Sequence, residues 1–264
     1  MRRPFPVQGL PYVDPFLLID EMGPVDYAPG KAIGAPDHPH RGFETVTYII
    51  EGEMEHEDSH GHRGAIRSGD VQWMTAGAGV IHSEMPSQKM LREGGRMHGF
   101  QIWVNLPRAL KMSQPRYQEY DASQLPIVED AQRWVRIIAG SVDGKRSPIE
   151  TTVPTTMLHV KISPNAESSF EVAPDSNAIV HAMSGWATIE SKTVRAHEAM
   201  LLEPAPETLR ITTGDDPFEA LLLAGVPLHE PVARYGPFVM NTVEELQQAF
   251  DDFRSGRFGE IARV

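Results

Sequence analysis

The sequence predicts an all-β protein made of two tandem β-barrels with a short C-terminal helix. Three observations carry this expectation. Glycine and proline number 22 each and are scattered, so they cut the chain into short segments. Several of those segments are rich in β-branched and aromatic residues, or alternate apolar with polar positions. The order of strands and turns in the first half returns in the second, which reads as an internal duplication of one barrel unit.

In the first half, "ETVTYIIEG" (Glu44–Gly52) is a strand closed by a glycine turn, and "DVQWMTA" (Asp70–Ala76) follows an "SGD" turn. "HGFQIWVNL" (His98–Leu106) sets Phe100, Ile102, Val104 and Leu106 on one face and Trp103 on the other. In the second half, "TTMLHVKIS" (Thr155–Ser163) alternates, with Met157 facing away from Leu158 and Val160. "NAIVHAMSGWATI" (Asn177–Ile189) is strand, turn and strand, and "HEAMLLEP" and "FEALLLAG" follow. The join is expected within "QLPIVEDAQ" (Gln124–Gln132), giving domains at 1–128 and 129–264, the second including the helix. That helix is expected in "NTVEELQQAFDDFRSG". Thr242 and Glu245 form a capping box, Val243, Leu246, Phe250 and Phe253 form an apolar stripe, and Gly256 is the stop. Its expected role is to pack on a barrel.

Composition bounds the chemistry. The chain has 264 residues and no cysteine, which removes disulfides, thiolate metal sites and cysteine nucleophiles. A metal here must be held by His, Asp or Glu, a donor set suited to Fe(II), Mn, Ni, Co, Cu(II) or Zn. The formal net charge is −12 and no basic face is evident, which argues against direct nucleic-acid binding. "MRR" is not followed by the apolar run of a signal peptide, and no stretch reaches the length of a membrane span. A cytoplasmic protein without membrane partners is expected.

The stretch "DHPHRGFETVTYIIEGEMEHEDSHGHRG" (Asp37–Gly64) holds five of the eleven histidines. Residues at i and i+2 of a strand share a face. His38 and His40 make one such pair, and His82 and Glu84 in "GVIHSEMP" make another. Set side by side in one barrel, the four groups converge as three imidazoles and a carboxylate, leaving one or two coordination positions open. Pro39 keeps His38 extended and places the segment at an edge or strand start. Glycines in "TAGAGVIH" allow a tight loop that brings His82 close. A lone histidine is most often an ordinary polar residue. Two i, i+2 pairs in one β-rich half favour a metal site.

The blocks "HPHRGFETVTYIIEG", "GDVQWMTAGAGVIHSEMP", "HGFQIWVNLP" and "GVPLHEPVARYGPFVMNT" closely resemble the pirin family of the cupin superfamily, over nearly the whole chain. The resemblance implies a bicupin, with two jelly-roll-like cupin barrels. It implies one mononuclear metal, usually taken as iron, in the first barrel and none in the second. By position its ligands are His38, His40, His82 and Glu84. A general cupin pattern would instead use Glu44, four residues after the second histidine. Glu84 shares a strand face with His82 and is expected as the ligand, with Glu44 beside it in the pocket or behind the ligands. Gly77 stands where the second cupin motif usually has proline, a departure that pirins share.

Two readings of His56 stand: a pocket residue that hydrogen-bonds substrate or water, as a similar position in pirins implies, or a solvated loop residue. His60 and His62 are expected in the loop. His159, His181 and His197 are isolated, so the second barrel is expected to be metal-free. Trp73, Met74, Phe43 and Trp103 are core residues, with pocket lining as the alternative. The resemblance implies two functions. One is cleavage of a flavonol such as quercetin with dioxygen, as in quercetin 2,3-dioxygenase, with one divalent ion, Fe(II) or another, and Glu84 as proton acceptor. The other is an iron-containing, redox-responsive regulator that acts through protein partners.

Overall fold

Residues that alternate in the sequence alternate between the faces of paired sheets. The chain is described by a computed structural model over residues 1–263 and divides into two units. Met1–Phe5, Phe16–Ala122 and the chain from His229 onward make the first; Pro6–Pro15 and Ser123–Leu228 make the second.

The first unit contains β1 (Arg2–Phe5), β2 (Phe16–Tyr27), β3 (Ala35–His40), β4 (Phe43–Glu51), β5 (Glu53–Asp58), β6 (Arg63–Arg67), β7 (Val71–Thr75) and β8 (Val80–Pro86). Helix α1 (Gln88–Glu93), β9 (Gly95–Asn105) and β10 (Arg116–Tyr120) follow. A six-stranded sheet runs β1-β2-β9-β4-β7-β10, and a four-stranded sheet runs β3-β8-β5-β6. Strand β4 lies between β9 and β7 and is buried from Phe43 to Ile49, as its Val, Ile, Thr and Tyr content favours. Its register pairs Thr45 with Met74 and Trp103, and Val46 with Trp73 and Ile102. The Thr45 face looks onto the four-stranded sheet, since Thr47 bonds Glu84 and Trp103 meets His40.

The second unit repeats this plan. Strands β11 (Ile127–Glu129), β12 (Arg133–Ala139), β15 (Thr155–Ile162), β22 (Phe218–Gly225), β17 (Asn177–Ser184) and β20 (Ala199–Leu202) form a six-stranded sheet in that order. Strands β16 (Glu167–Glu171), β21 (Thr208–Thr213), β18 (Trp186–Ile189) and β19 (Lys192–Arg195) form the four-stranded one, and β13 (Ser141–Val142) and β14 (Lys145–Arg146) make a small hairpin. Its core joins Val135, Leu158, Val180 and Leu222 of the larger sheet to Phe170, Ile189, Leu209 and Ile211 of the smaller. Each such side chain contributes about 1.5–3 kcal/mol by leaving water.

The C-terminal segment departs from the expected division. Strands β23 (Ala233–Tyr235) and β24 (Phe238–Met240) and helix α2 (Val243–Arg254) belong to the first unit, not to the barrel that precedes them in sequence. The reason is apolar burial: Phe238, Met240, Leu246, Ala249 and Phe258 pack together against Ile81 of β8. The Thr242–Glu245 capping box forms as expected. The packed face of α2 keeps Leu246 and Phe250 of the expected stripe and adds Ala249 and Asp252, while Val243 is 71% exposed and Phe253 is exposed. Among the described residues no helix is long and apolar enough to cross a membrane.

Candidate metal centre

The centre is built by register. Strand β3 runs antiparallel to β8 with His38 opposite His82, His40 opposite Val80 and Ala35 opposite Glu84. On the other side of β8, Asp58 of β5 lies opposite His82, and His56 lies opposite Glu84. Directly opposed residues share a face, so His38, His82 and Asp58 make one row and Glu84 and His56 the next.

His38, His40 and His82 each present a ligand nitrogen, and these atoms lie within 4.8 Å of one another. Among the described residues this is the one such group of three or more His, Asp or Glu side chains. Ring centroids are 4.7 Å apart for His38–His40, 4.4 Å for His38–His82 and 4.9 Å for His40–His82. His82 is 0% exposed, His40 is 3% exposed and His38 is half-buried. Neither ring nitrogen of His82 has a hydrogen-bond partner, nor does Nδ1 of His40. Burying such groups unpaired is costly, and a cation facing one lone pair on each ring offsets part of that cost. Nδ1 of His38 lies 2.7 Å from the Pro36 carbonyl; that oxygen accepts, so Nδ1 carries the proton and Nε2 is left as a donor to a metal.

Electrostatics agree. Burial, then the neighbouring His38 and His56, hold His82 down to about 3, with Asp58 opposing. Burial, then His82 and His38, hold His40 well below the ordinary imidazole value, with the Pro237 carbonyl opposing. Both rings are therefore neutral at neutral pH, the form that ligates a metal. The donor set fits a metal ion.

Glu84 is 6% exposed, shares the inner face of β8 with His82, and accepts a 2.8 Å hydrogen bond from Thr47 Oγ1; it lies outside the three-histidine group. Glu44 is not brought to the centre. It accepts from Thr75 Oγ1 at 2.7 Å and faces the opposite side of β4 from Thr45 and Thr47, as Trp73 does. The reason is the corner at Gly42, whose φ of +88° ends β3 and resets the alternation before β4. Met74 does share the face of Thr45. Phe43 and Trp103 flank His40, with centroids at 5.1 and 5.2 Å.

His56 lies in β5, not in a loop, and is buried. Its Nε2 is 2.8 Å from Glu119 Oε1, and its ring stacks on Tyr117 at 5.7 Å. The close approach of His56 holds the Glu119 carboxyl below its usual range against the opposing effect of burial. His60 and His62 are exposed at the β5–β6 turn.

Sequence reasoning missed Asp58 and Glu119. Asp58 accepts from the backbone N–H groups of His60 and His62, at 2.9 and 2.8 Å, and pairs with His62 Nδ1 at 3.0 Å. The spacing of His56 and Asp58 was a signal for the first; nothing local announced the second. In the second unit the inner positions of β16 and β21 carry Ser168, Phe170, Leu209 and Ile211. His159 and His181 flank Leu221 in register, on the face of that sheet turned away from Leu158, Val160 and Leu222.

Two barrels, each pairing a six-stranded sheet with a four-stranded one, and a three-histidine centre in the first, define a bicupin with a metal-type site. The profile of the family described as Pirin matches residues 1–104, and that of the Pirin C-terminal cupin domain matches residues 157–259. A pirin-like protein of Caulobacter vibrioides is 45% identical over 93% of this chain and 87% of its own length. A pirin-like protein of Solanum lycopersicum is 40% identical over 98% of this chain and 87% of its own length. A crystal structure of quercetin 2,3-dioxygenase from Acinetobacter baumannii superposes with a TM-score of 0.89 at 35% identity, covering 95% of this chain and 88% of that one. The chain belongs to the pirin family.

Proposed function

We propose that this chain is a metal-dependent oxidoreductase that opens a flavonol of the quercetin type with dioxygen, using one divalent ion, Fe(II), held by His38, His40, His82 and Glu84. The observation that carries the reading is the convergence of three imidazoles in a chain 35% identical to a quercetin 2,3-dioxygenase. When bound, the ion supplies Lewis acidity toward the flavonol hydroxyl and a template on which substrate and dioxygen meet.

The remaining work falls to side chains of the first unit. Glu84 accepts the proton of the flavonol 3-hydroxyl, and the hydrogen bond from Thr47 holds its carboxylate in place. His56 Nε2 stands 2.8 Å from Glu119 Oε1, and a proton placed on Nε2 by that carboxylate would leave the buried Nδ1 as an acceptor for a substrate hydroxyl. Phe43 and Trp103 pack edge-on beside His40 and hold its ring in place. His38, the least buried of the three, marks the side of approach.

The test is aerobic loss of flavonol absorbance by protein loaded anaerobically and assayed for metal, with Fe(II) compared against Mn, Co, Ni and Zn. Turnover that rises with Fe(II) occupancy and vanishes in metal-retaining Glu84→Ala supports the reading. Full occupancy without turnover removes it and shifts weight to a regulator acting through a protein partner.

A further inference from the structure

Resting on the metal reading above, we infer that the buried Arg41–Asp252 ion pair, with the ring of Phe258 against it, is a positioning device for the metal centre. It ties the C-terminal segment to the two stretches of chain that carry His40 and His82.

Arg41 follows His40 directly and is 4% exposed. Its guanidinium is held on three sides. Nε donates to the Ala78 carbonyl at 2.6 Å, Nη1 donates to Asp252 Oδ2 at 2.8 Å, and the group lies 4.6 Å from the centroid of Phe258. Ala78 sits in the loop that leads into β8 and His82, so one side chain bridges both ligand-bearing stretches. Backbone bonds reinforce the junction: Gly42 N–H donates to Gly77 O at 2.9 Å, and Val239 N–H donates to Arg41 O at 3.0 Å. Asp252 is itself held by Gln248 at 2.7 Å and Arg257 at 2.6 Å. Phe258 closes on Gly79 so tightly that a Cβ there would stand 2.6 Å from the ring.

The ladder between β3 and β8 leaves this work to be done. Strand β3 is the edge of its sheet, pairs with β8 alone, and changes register between Ala35 and His38. A buried ion pair adds little stability over well-packed apolar side chains of the same volume, so the use of this one is geometric. Metal sites need that geometry, because ligands must be held within about 0.5 Å of productive positions.

The test uses Co(II) as probe in the full chain, with four proteins: wild type, Asp252→Asn, Phe258→Leu, and Arg108→Met, which removes only an exposed ion pair with Glu245. Bound Co(II), its visible absorption spectrum, the rate of stripping by a chelator and the melting temperature of the metal-free protein are measured. Wild type and Arg108→Met are expected to bind one Co(II) with the same spectrum and release rate. Asp252→Asn and Phe258→Leu are expected to show an altered spectrum and release about tenfold faster, the scale seen when groups supporting metal ligands are lost. Folded variants with wild-type spectrum and release rate, whatever their melting temperature, overturn the inference and leave the metal reading intact. If Asp252→Asn does not fold, Phe258→Leu alone decides. Wild type that binds no Co(II) overturns both.

Discussion

His56 Nε2 lies 2.8 Å from Glu119 Oε1, and Gln72 Nε2 donates to that same oxygen at 2.8 Å. The contact joins β5 of the small sheet to β10 of the large one beside the candidate centre. Replacing Glu119 by Leu removes the carboxylate that faces His56 Nε2. Turnover of a metal-loaded protein should fall about tenfold, with metal content unchanged. Glu119→Gln keeps an acceptor and should retain most activity. Steady-state kinetics with metal analysis on both variants checks this.

His82 is the most buried of the three clustered imidazoles, and the His82→Ala protein should lose metal and flavonol turnover together. A chelator should lower the melting temperature of the wild type, because an ion at a thousand times its Kd stabilises the folded state by about 4 kcal/mol. The His82→Ala protein should show no such shift. Calorimetry with and without chelator separates the two; activity in verified metal-free protein would refute the assignment.

Gly42 adopts a φ of +88°, and a Cβ there would stand 2.0 Å from the Val239 carbonyl oxygen. Gly30 has a φ of +73° and open space around it. Gly42→Ala should therefore cost about 3 kcal/mol or more, against about 1 kcal/mol for Gly30→Ala. Denaturant midpoints compare the two directly, and a similar loss at both sites would contradict the packing described.

In the second unit, burial pushes the Glu219 carboxyl up, but the hydrogen bond and charge of His159 and the charge of Lys161 outweigh it and hold Glu219 at about 2. A carboxyl lowered on folding contributes stability that is fully present above its unfolded value, here 4.5, and is lost as pH falls toward 2. The melting temperature of the wild type should therefore drop through that window. The drop should be shallower in Glu219→Gln, as thermal melts from pH 5 to 2.5 would show.

The three-histidine group was legible because the rule that exposes it is local. His38 with His40, and His82 with Glu84, need only the alternation of one strand. The pairing of β3 with β8 is set by sheet formation, and sequence spacing alone could suggest it but not fix the row His38–His82–Asp58. Glu44 misleads for the same reason. Counting four residues from His40 assumes one continuous strand, and the corner at Gly42 breaks it. Glu119 was invisible because its partner, His56, is held on another sheet by contacts far along the chain. The duplicated barrel was legible in its turns. The home of α2 was not, since its buried face meets Ile81 rather than the strands next to it in sequence.

That return of the chain has a consequence for synthesis. Residues from His229 onward are translated after the whole of the second unit, yet they complete the first. A nascent chain with both four-stranded sheets already outside the ribosome still lacks Asp252 and Phe258, so Arg41 has neither its carboxylate nor its aromatic neighbour. The first unit, though begun first, is the last to be finished, and a chain ending at Leu228 would hold both four-stranded sheets while Ile81 lacked the apolar cluster of Phe238, Met240, Leu246 and Phe258.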